Sequence, residues 1–417
     1  MSRPSRLISI FTSAAVLALT VVPISSSQAA VTKITFANWQ FAEPGRGEAL
    51  QAIVDTFNAS NKRIQVQTVS IPYASYSNTV LTQMGAKSGP DILNLEYDVF
   101  LKAQQANLVA DLSGKISAPS SGFLKSDANY NLAGKRFGIP WQSTGFALIC
   151  NKSILAEEKI AMPKTFEQFV AMAKATTKGT TRYGFAFRNT MPQEAGWWYD
   201  LSNWVYGFGG SWTDKSGNPS VNSDEVVKAL TEYKKFFDEK YVPQGADATT
   251  YRRMFWENKI ACVIDNGAVP SIFVNGNPAI KGDLVVGPNP FPVAKNSQIL
   301  IGTHINAASK NQAAALSFMK WMLQASVQKS LQRAMGAEAV STNIRPPKEL
   351  LATSPWMKTY QSIANNGVLV LPVGAELKTA EFRKIVLSQA DKVLRSGLSP
   401  KAAMDAAQAE VKTLLSK

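Results

Sequence analysis

A run of aromatic and hydrogen-bonding side chains between residues 188 and 212 carries the strongest chemical signal in this sequence. Four tryptophans fall within residues 197–212, and their flat apolar faces can stack on pyranose or furanose rings. Neighbouring carboxylate, amide and guanidinium groups can hydrogen-bond sugar hydroxyls. The same tryptophans could equally form the core of a domain. The residues concerned are Arg188, Asn189, Gln193, Glu194, Trp197, Trp198, Tyr199, Asn203, Trp204, Tyr206 and Trp212.

Signatures of catalysis and of metal binding are sparse. His304 is the only histidine in the chain, so a histidine-based triad could be built only around it, and a histidine-rich zinc site is excluded. The sequence has no Gly-x-Ser-x-Gly elbow that would hold a nucleophilic serine. A phosphate-binding Gly-x-x-x-x-Gly-Lys-Ser/Thr loop is also missing from the sequence. Glu194 and Asp265 are the only carboxylates that we would nominate for glycoside cleavage. We therefore expect a binding protein with no enzymatic activity, no cofactor and no metal.

The composition indicates an exported, folded chain. Residues 1–30 combine two arginines, a mostly apolar run from Leu7 to Val22 and a small-residue end at Ala30, which is the layout of a cleaved secretory signal. The remaining 387 residues exceed what one hydrophobic core usually organises, which favours two lobes. The net charge of this remainder is +12, but its lysines and arginines are scattered. We expect a solvated basic surface, no nucleic-acid partner and no insertion into a membrane.

Cys150 and Cys262 are the only cysteines in the chain. Each lies in an apolar, strand-like run, and export would permit a disulfide between them. Two cysteines define no framework, so one bridge and two buried thiols are both compatible with the sequence.

Hydrophobic periodicity predicts alternating strands and helices. Strand patterns at 33–37, 64–69 and 92–95 are separated by helical patterns at 49–57 and 75–86, an order typical of an α/β layer with parallel strands. Capping patterns predict the starts of further helices, near Thr165, Asn222, Ser309 and Ser399.

Nine short motifs follow one another over nearly 300 residues without a linker or a repeat. They are Ile34–Trp39, Gly89–Ile92, Leu108–Ser113, Gly134–Pro140, Leu148–Lys152, Trp204–Trp212, Tyr251–Trp256, Lys259–Gly267 and Ser309–Leu323. In this order and spacing they resemble the extracellular solute-binding proteins of ATP-driven importers, in the maltose-binding-protein-like class that binds sugars and oligosaccharides. The resemblance covers essentially the whole chain after the signal.

The resemblance implies a periplasmic-binding-protein fold of the α/β class. It would have two lobes, each a mixed, mostly parallel sheet flanked by helices, with a ligand cleft between them. The chain would cross between lobes near residues 138–144, 264–267 and 322–326. The first lobe would hold residues 31–139 and 266–323, and the second residues 140–265 and 324–417.

The resemblance also implies which loops face the cleft. They include the loop after the first strand, the segment after the Gly-Pro-Asp strand, the crossing strands and a loop that closes over the ligand. Together with the aromatic run, these loops supply the predicted ligand-binding residues. They are Trp39, Gln40, Glu43, Glu96, Tyr97, Asp98, Gln142, Arg188, Glu194, Trp197, Trp198, Trp212, Asp265, Asn266, Gly267, Thr303 and His304.

The function implied by the resemblance is capture of a sugar by lobe closure and its delivery to the transmembrane permease of an ABC importer. No lipid-bearing cysteine follows the signal, so we expect a monomer that is free in the periplasm after cleavage near Ala30. Two alternatives stay open. One is an exported glycan-cleaving enzyme, and the other is a receptor for an acidic or phosphorylated solute, suggested by Arg188, Arg252 and Arg253.

Overall fold

The computed structural model describes residues 1, 30–43, 45–336 and 340–416, so the predicted signal lies almost wholly outside the described residues. The strands are β1 Thr32–Ala37, β2 Ile64–Val69, β3 Ile92–Glu96, β4 Asn131–Leu132, β5 Lys135–Arg136, β6 Ile139–Asn151, β7 Cys262–Asn266, β8 Leu284–Gly287, β9 Asn296–Ile305 and β10 Gly367–Leu369. The helices are α1 Arg46–Ser60, α2 Tyr73–Gly85, α3 Tyr97–Gln105, α4 Lys152–Glu157, α5 Phe166–Thr176, α6 Glu194–Gly207, α7 Asp224–Asp238, α8 Ala248–Trp256, α9 Val269–Gly276, α10 Gln312–Met322, α11 Ala325–Met335, α12 Lys348–Thr353, α13 Met357–Ile363, α14 Thr379–Arg395 and α15 Pro400–Leu415. Within the described ranges, none of these helices is long and apolar enough to cross a membrane.

The first sheet is built around β1, whose alternating pattern buries Ile34 and Phe36. β1 pairs in parallel with β2 on one side and with β3 on the other. Helices α1 and α2 make the crossovers that parallel strands require, so the predicted strand–helix order of this region is confirmed. β9 then pairs antiparallel with β3 and, on its other edge, with β6.

One long strand, β6, belongs to two sheets. Residues 139–145 pair with β9 in the first sheet, whereas residues 146–151 pair with β7 and β8 in a second sheet. All of its residues except Ser143 are buried, as expected for a strand that is covered on both faces. β6 therefore connects the two sheets. β9 crosses the same junction at its start, where the Ser297 amide donates to Asn203 Oδ1 of α6 and the first three residues pair with β10.

The sheets are mixed, but they are less parallel than predicted. β7 and β8 both run antiparallel to β6, and β9 runs antiparallel to both of its neighbours in the first sheet. The reason is connectivity. β6 carries the chain out of the first sheet, and a returning strand that pairs directly with it must run in the opposite direction. The expectation of mostly parallel sheets is corrected accordingly.

The two cysteines form a disulfide, which answers the question that the sequence left open. Cys150 and Cys262 are directly paired across β6 and β7, and both are fully buried. The bridge joins positions 112 residues apart. It thus ties the outgoing strand to the returning strand.

Packing contacts allow the elements to be grouped into two halves, while the predicted lobe boundaries stay a prediction. β8 pairs with the second-sheet part of β6, and α9 packs against the same sheet through Val269 and Phe273, although residues 266–323 were expected in the first lobe. α11 packs on α1, although residues 324–417 were expected in the second. We call β1–β3, residues 139–145 and 299–305, α1–α3, α10 and α11 the first half. The second half comprises residues 146–151, β7, β8, β10, α4–α9 and α12–α15.

The predicted helix starts are accurate to within a few residues. Thr165 caps α5 by accepting a hydrogen bond from the Gln168 amide, and Ser399 caps α15 in the same way. α7 is capped by Ser223, one residue later than predicted. The Ser309 hydroxyl accepts from the backbone N–H of Asn311 and makes no contact with the first turn of α10.

Candidate functional site

The two halves enclose a small pocket, which we call the cleft pocket. Its free volume is about 20 Å³, enough for about one water molecule. A pyranose ring can enter only if the walls separate. The lining residues are Glu96, Tyr97, Asp98, Ala195, Trp198, Tyr199, Gln298, Leu300, Leu369, Val370, Leu371, Thr379 and Arg383.

The first half contributes the point where β3 ends and α3 begins. Glu96 is the last residue of β3, and Asp98 lies in the first turn of α3, where the helix dipole favours a negative charge. The Tyr73 hydroxyl donates a 3.1 Å hydrogen bond to Glu96 Oε1. The first half thus presents two carboxylates to the pocket.

Glu96 titrates at an unusual pH for a glutamate. Its burial, and then the nearby Asp98 carboxylate, raise its pKa to about 7. The Tyr73 hydroxyl and the Arg383 guanidinium oppose this rise because they favour the charged form. The pocket can therefore take up or release a proton near neutral pH.

The second half contributes one face of α6. Ala195, Trp198 and Tyr199 are three and four residues apart, so they share a helix face. The Trp198 ring stacks on Trp212 with centroids 4.3 Å apart, and its Nε1 donates to the Val370 carbonyl at 2.7 Å. These contacts fix the tryptophan wall of the pocket.

The C-terminal wall combines apolar and charged groups. Leu369, Val370 and Leu371 follow or end β10, and Arg383 lies on α14, one helical turn after Thr379. Arg383 Nη2 lies 3.2 Å from Glu194 Oε1. Burial disfavours the charge of Arg383, but Asp98 and Glu194 outweigh this effect and raise its pKa. The guanidinium therefore stays charged.

The structure brings together five of the predicted site residues. Glu96, Tyr97, Asp98 and Trp198 line the cleft pocket. Glu194 contacts it through its ion pair with Arg383.

A second group of predicted residues forms a buried chain next to the pocket. Gln40 accepts a hydrogen bond from Trp141 Nε1 at 2.7 Å and donates one to Gln142 Oε1 at 2.6 Å. The Trp39 ring packs 5.6 Å from the ring of Tyr73, the tyrosine that bonds Glu96. These residues support the pocket wall from behind. Glu43, in the same loop, pairs with Arg46 at 3.2 Å.

The predicted residues Arg188 and Asp265 are engaged in buried ion pairs. Arg188 Nη1 lies 2.7 Å from Asp200 Oδ1. Asp265 is fully buried and accepts hydrogen bonds from the Tyr251 hydroxyl at 2.8 Å and from Arg252 Nε at 3.0 Å. The charged groups of Arg188 and Asp265, which were predicted to bind the ligand, are therefore paired within the protein.

Asn266 and Gly267 shape the end of β7. The Asn266 amide donates to Asp265 Oδ1 at 2.9 Å. The Gly267 amide donates to the Thr144 hydroxyl at 3.0 Å, which connects the end of β7 to β6. Both contacts stabilise the end of β7 beside β6, and neither residue lines the pocket.

The remaining predicted residues lie in the core. Trp197 has no exposed surface, and Trp212 is 2% exposed behind Trp198. Thr303 donates to Asn94 Oδ1 at 2.8 Å within the first sheet. His304 stacks on Phe100 at 4.5 Å. Strand and helix geometry turns these four side chains inward, and their role in ligand binding stays a prediction.

His304 is neutral in this environment. Burial lowers its pKa to about 4, although the Phe137 carbonyl partly offsets the effect. Nδ1 lies 2.9 Å from that carbonyl oxygen, which can only accept, so Nδ1 carries the proton. Nε2 is buried and has no hydrogen-bond partner among the described residues. Among these residues no group of three or more histidine, cysteine or acidic side chains could hold a metal ion.

Several pocket residues were absent from the sequence-based set. Tyr199 follows two tryptophans that were in it, so the α6 face could have indicated its role. Gln298 and Leu300 lie on β9, five and three residues before Thr303 of the predicted set. Leu371 and Arg383 had no local signal. Their approach to the pocket depends on how the C-terminal segment packs against α6.

Comparisons with known proteins identify the family. Residues 42–329 match the bacterial extracellular solute-binding protein family. A galactooligosaccharide-binding protein of Bacillus subtilis (strain 168) is 26% identical over 293 residues, 66% of this chain and 66% of that protein. A probable ABC transporter-binding protein of Deinococcus radiodurans is 27% identical over 378 residues, 85% of this chain and 87% of that protein.

A solved structure shares the fold over nearly the whole chain. It is the GacH receptor of Streptomyces glaucescens, determined unliganded and in complex with acarbose and an acarbose homologue. The TM-score is 0.83 at 20% identity, and the similarity covers 93% of this chain and 99% of that chain. The two-lobed α/β fold is therefore shared, and the family match covers more than half of the sequence. The protein belongs to the bacterial extracellular solute-binding protein family.

Proposed function

We propose that this protein captures a neutral carbohydrate between its two halves and delivers it to the transmembrane permease of an ABC importer. The observation that carries the proposal is the cleft pocket, where carboxylates of the first half face a tryptophan, a tyrosine and an arginine of the second. Ionised hydrogen-bonding groups beside aromatic faces suit a sugar. The galactooligosaccharide-binding relative and the acarbose complexes of the similar receptor support this ligand class.

The mechanism that we propose is closure around the ligand. We propose that this structure represents the closed form, because the cleft pocket has room for about one water molecule. Separation of the halves would bend β6 and β9, the two strands that cross the junction, and would hydrate the pocket. A ligand shifts the equilibrium towards the closed form only as far as it binds that form more tightly than the open form.

We further propose that the mature protein is a periplasmic monomer with two lobes. We propose lobe boundaries near residues 145, 298 and 344–348, and the pairing of β8 with β6 and the packing of α11 on α1 support them. Size-exclusion chromatography with light scattering tests the oligomeric state, and fractionation of cells tests the location.

Neither alternative function gains support from the site. An acidic solute would need free arginines, but Arg188 pairs with Asp200 and Arg252 pairs with Asp265. A glycosidase would need Glu194 and Asp265 on opposite sides of a sugar. Asp265 is fully buried and is held by Tyr251 and Arg252.

A binding screen tests the proposal. The purified protein is titrated calorimetrically with galactobiose, galactotriose, maltose and maltotriose, and with glucose 6-phosphate as the acidic comparator. We expect at least one neutral saccharide to bind and to raise the melting temperature, because a ligand of the folded state stabilises it. Chromatography of the saccharide after incubation should show no products. Binding of glucose 6-phosphate alone, or cleavage of a saccharide, would contradict the proposal.

A pocket variant sharpens this screen. Asp98→Asn keeps the shape of the side chain and removes its charge, so the bound saccharide should dissociate about 5–30 times more readily. Asp111→Asn is the matched control, since Asp111 lies in the first half outside the pocket lining. Equal loss of affinity in both variants would argue against the cleft pocket as the binding site.

The pKa of Glu96 predicts that closure depends on pH. Its pKa of about 7 in the closed form lies above the ordinary glutamate value of about 4.3, so closing takes up a proton. The closed form is therefore most favoured below about pH 4.3 and loses this advantage as the pH rises through 7. Besides Glu96, the groups that contribute are Tyr73, Asp98 and Arg383.

Small-angle X-ray scattering of the unliganded protein measures this effect. The radius of gyration should increase between pH 5 and pH 8 in the wild type and stay constant in Glu96→Gln. Glu48→Gln, which alters an exposed glutamate of α1, should follow the wild type. A wild-type radius that does not change with pH would rule out the proton-linked closure.

A further inference from the structure

Arg383 has a donor that no described residue uses. Its Nη2 is paired with Glu194, but its Nε is buried and has no hydrogen-bond partner among the described residues. The side chain is 14% exposed, so water reaches it poorly. A buried guanidinium N–H without an acceptor is unfavourable, and Arg383 is one of the residues that line the cleft pocket.

Asp98 offers the complementary acceptor from the other half. Its carboxylate lines the same pocket and accepts no hydrogen bond from any described residue. Among the charged neighbours of Arg383, Asp98 has the strongest electrostatic effect. A buried donor without a protein partner and a carboxylate without a protein donor therefore belong to two residues that line the same pocket.

The charges around this pair select the chemistry of the ligand. Arg383 is already neutralised by Glu194, and Glu96 and Asp98 add further negative charge to the wall. A phosphate or carboxylate would be repelled. A hydroxyl group can accept from Nε, and a neighbouring hydroxyl can donate to the Asp98 carboxylate.

We infer that Arg383 is a ligand-binding residue, and that it and Asp98 together recognise two adjacent hydroxyl groups of a neutral saccharide. The inference rests on the proposed function, and it adds which chemical group of the saccharide is recognised. Because Arg383 belongs to the second half and Asp98 to the first, a diol held by both joins the halves. The same contact that recognises the ligand thus favours the closed form.

The test uses the tightest of galactobiose, galactotriose, maltose and maltotriose on the full-length mature protein. Arg383→Met should weaken its binding about 10–100-fold, as expected for the loss of a hydrogen bond to a charged group. Arg383→Lys should restore only part of the affinity, because lysine keeps the charge but lacks the Nε geometry. Melting temperatures verify that each variant is folded.

The matched control is Glu381→Gln. Glu381 lies on α14 two residues before Arg383 and forms an exposed ion pair with Lys102 of α3 at 3.6 Å. It also joins the two halves, but outside the pocket lining. Its replacement should change the affinity less than about fivefold. An equal loss in Glu381→Gln and Arg383→Met would overturn the inference, since general weakening of closure would then explain both.

Deoxy analogues of the same saccharide identify the recognised group. Removing the hydroxyl that accepts from Arg383 should weaken binding to the wild type about tenfold and have little further effect on Arg383→Met, because the effects of two groups in contact are not additive. Additive losses at every hydroxyl would overturn the inference. If the wild type binds a saccharide but Arg383→Met binds it equally well, only the inference fails. If the wild type binds none of the four saccharides, the proposed function fails, and the inference fails with it.

Discussion

Replacement of Cys150 and Cys262 by alanine should lower the free energy of unfolding by about 2–5 kcal/mol. The bridge closes a loop of 112 residues, so it restricts the unfolded chain strongly. It also pairs β6 with β7 inside a buried sheet. Scanning calorimetry of the oxidised wild type and of the double variant measures the difference.

Reductant supplies the control for this experiment. Dithiothreitol, present while the protein is denatured and then refolded, should bring the wild type close to the double variant and leave the double variant unchanged. A wild type that is insensitive to reduction would mean that the bridge contributes little. Saccharide binding should survive in the folded double variant, because neither cysteine lines the cleft pocket.

Asp265→Ala should destabilise the protein by about 3–5 kcal/mol, because it leaves a buried cation without its partner. Asp265 has no exposed surface and accepts hydrogen bonds from Tyr251 and Arg252. Burial disfavours its charge, but Arg252 and Arg188 outweigh this effect and hold its pKa below the ordinary value. Thermal and urea unfolding at neutral pH measure the loss.

The pH dependence of stability distinguishes the contribution of the ion pair from the contribution of packing. With a lowered pKa, the charged Asp265 contributes its full stability above the unfolded pKa of about 3.9, and this contribution disappears as the pH falls through the folded pKa. The difference between wild type and Asp265→Ala should therefore shrink in acid. The control is Asp238→Ala, which removes an exposed pair with Lys234 and should change stability by less than about 1 kcal/mol. A difference that stays constant down to pH 2 would assign the effect to packing.

The parts of the fold that depend on local patterns were predictable from the sequence. The strands and helices of the first hundred residues follow from alternation, helical spacing and capping, and they place Glu96 and Asp98 at the end of β3. The lobe boundaries were harder, since they depend on the distant pairing of β8 with β6. A short strand gives no local indication of which sheet it joins.

The tryptophans show why the site itself was only partly predictable. Trp197 and Trp198 are adjacent in sequence, but successive residues on a helix point about 100° apart. Both are buried, but only Trp198 also lines the pocket. Arg383 reaches the pocket by pairing with Glu194, which lies 189 positions earlier. Such a pair depends on tertiary packing, and the sequence around either residue gives no indication of it.

The position of β9 in the sheet affects how the chain folds during and after its synthesis. β9 fills the space between β3 and β6, and its Thr303 meets Asn94 of β3 across 209 positions. While the chain is being made, the edge of β3 stays without its partner until some two hundred more residues have followed. Long-range pairing of this kind slows folding, and an unpaired edge is prone to aggregate. The late synthesis of β9 therefore keeps the first sheet incomplete until about three quarters of the chain has been made.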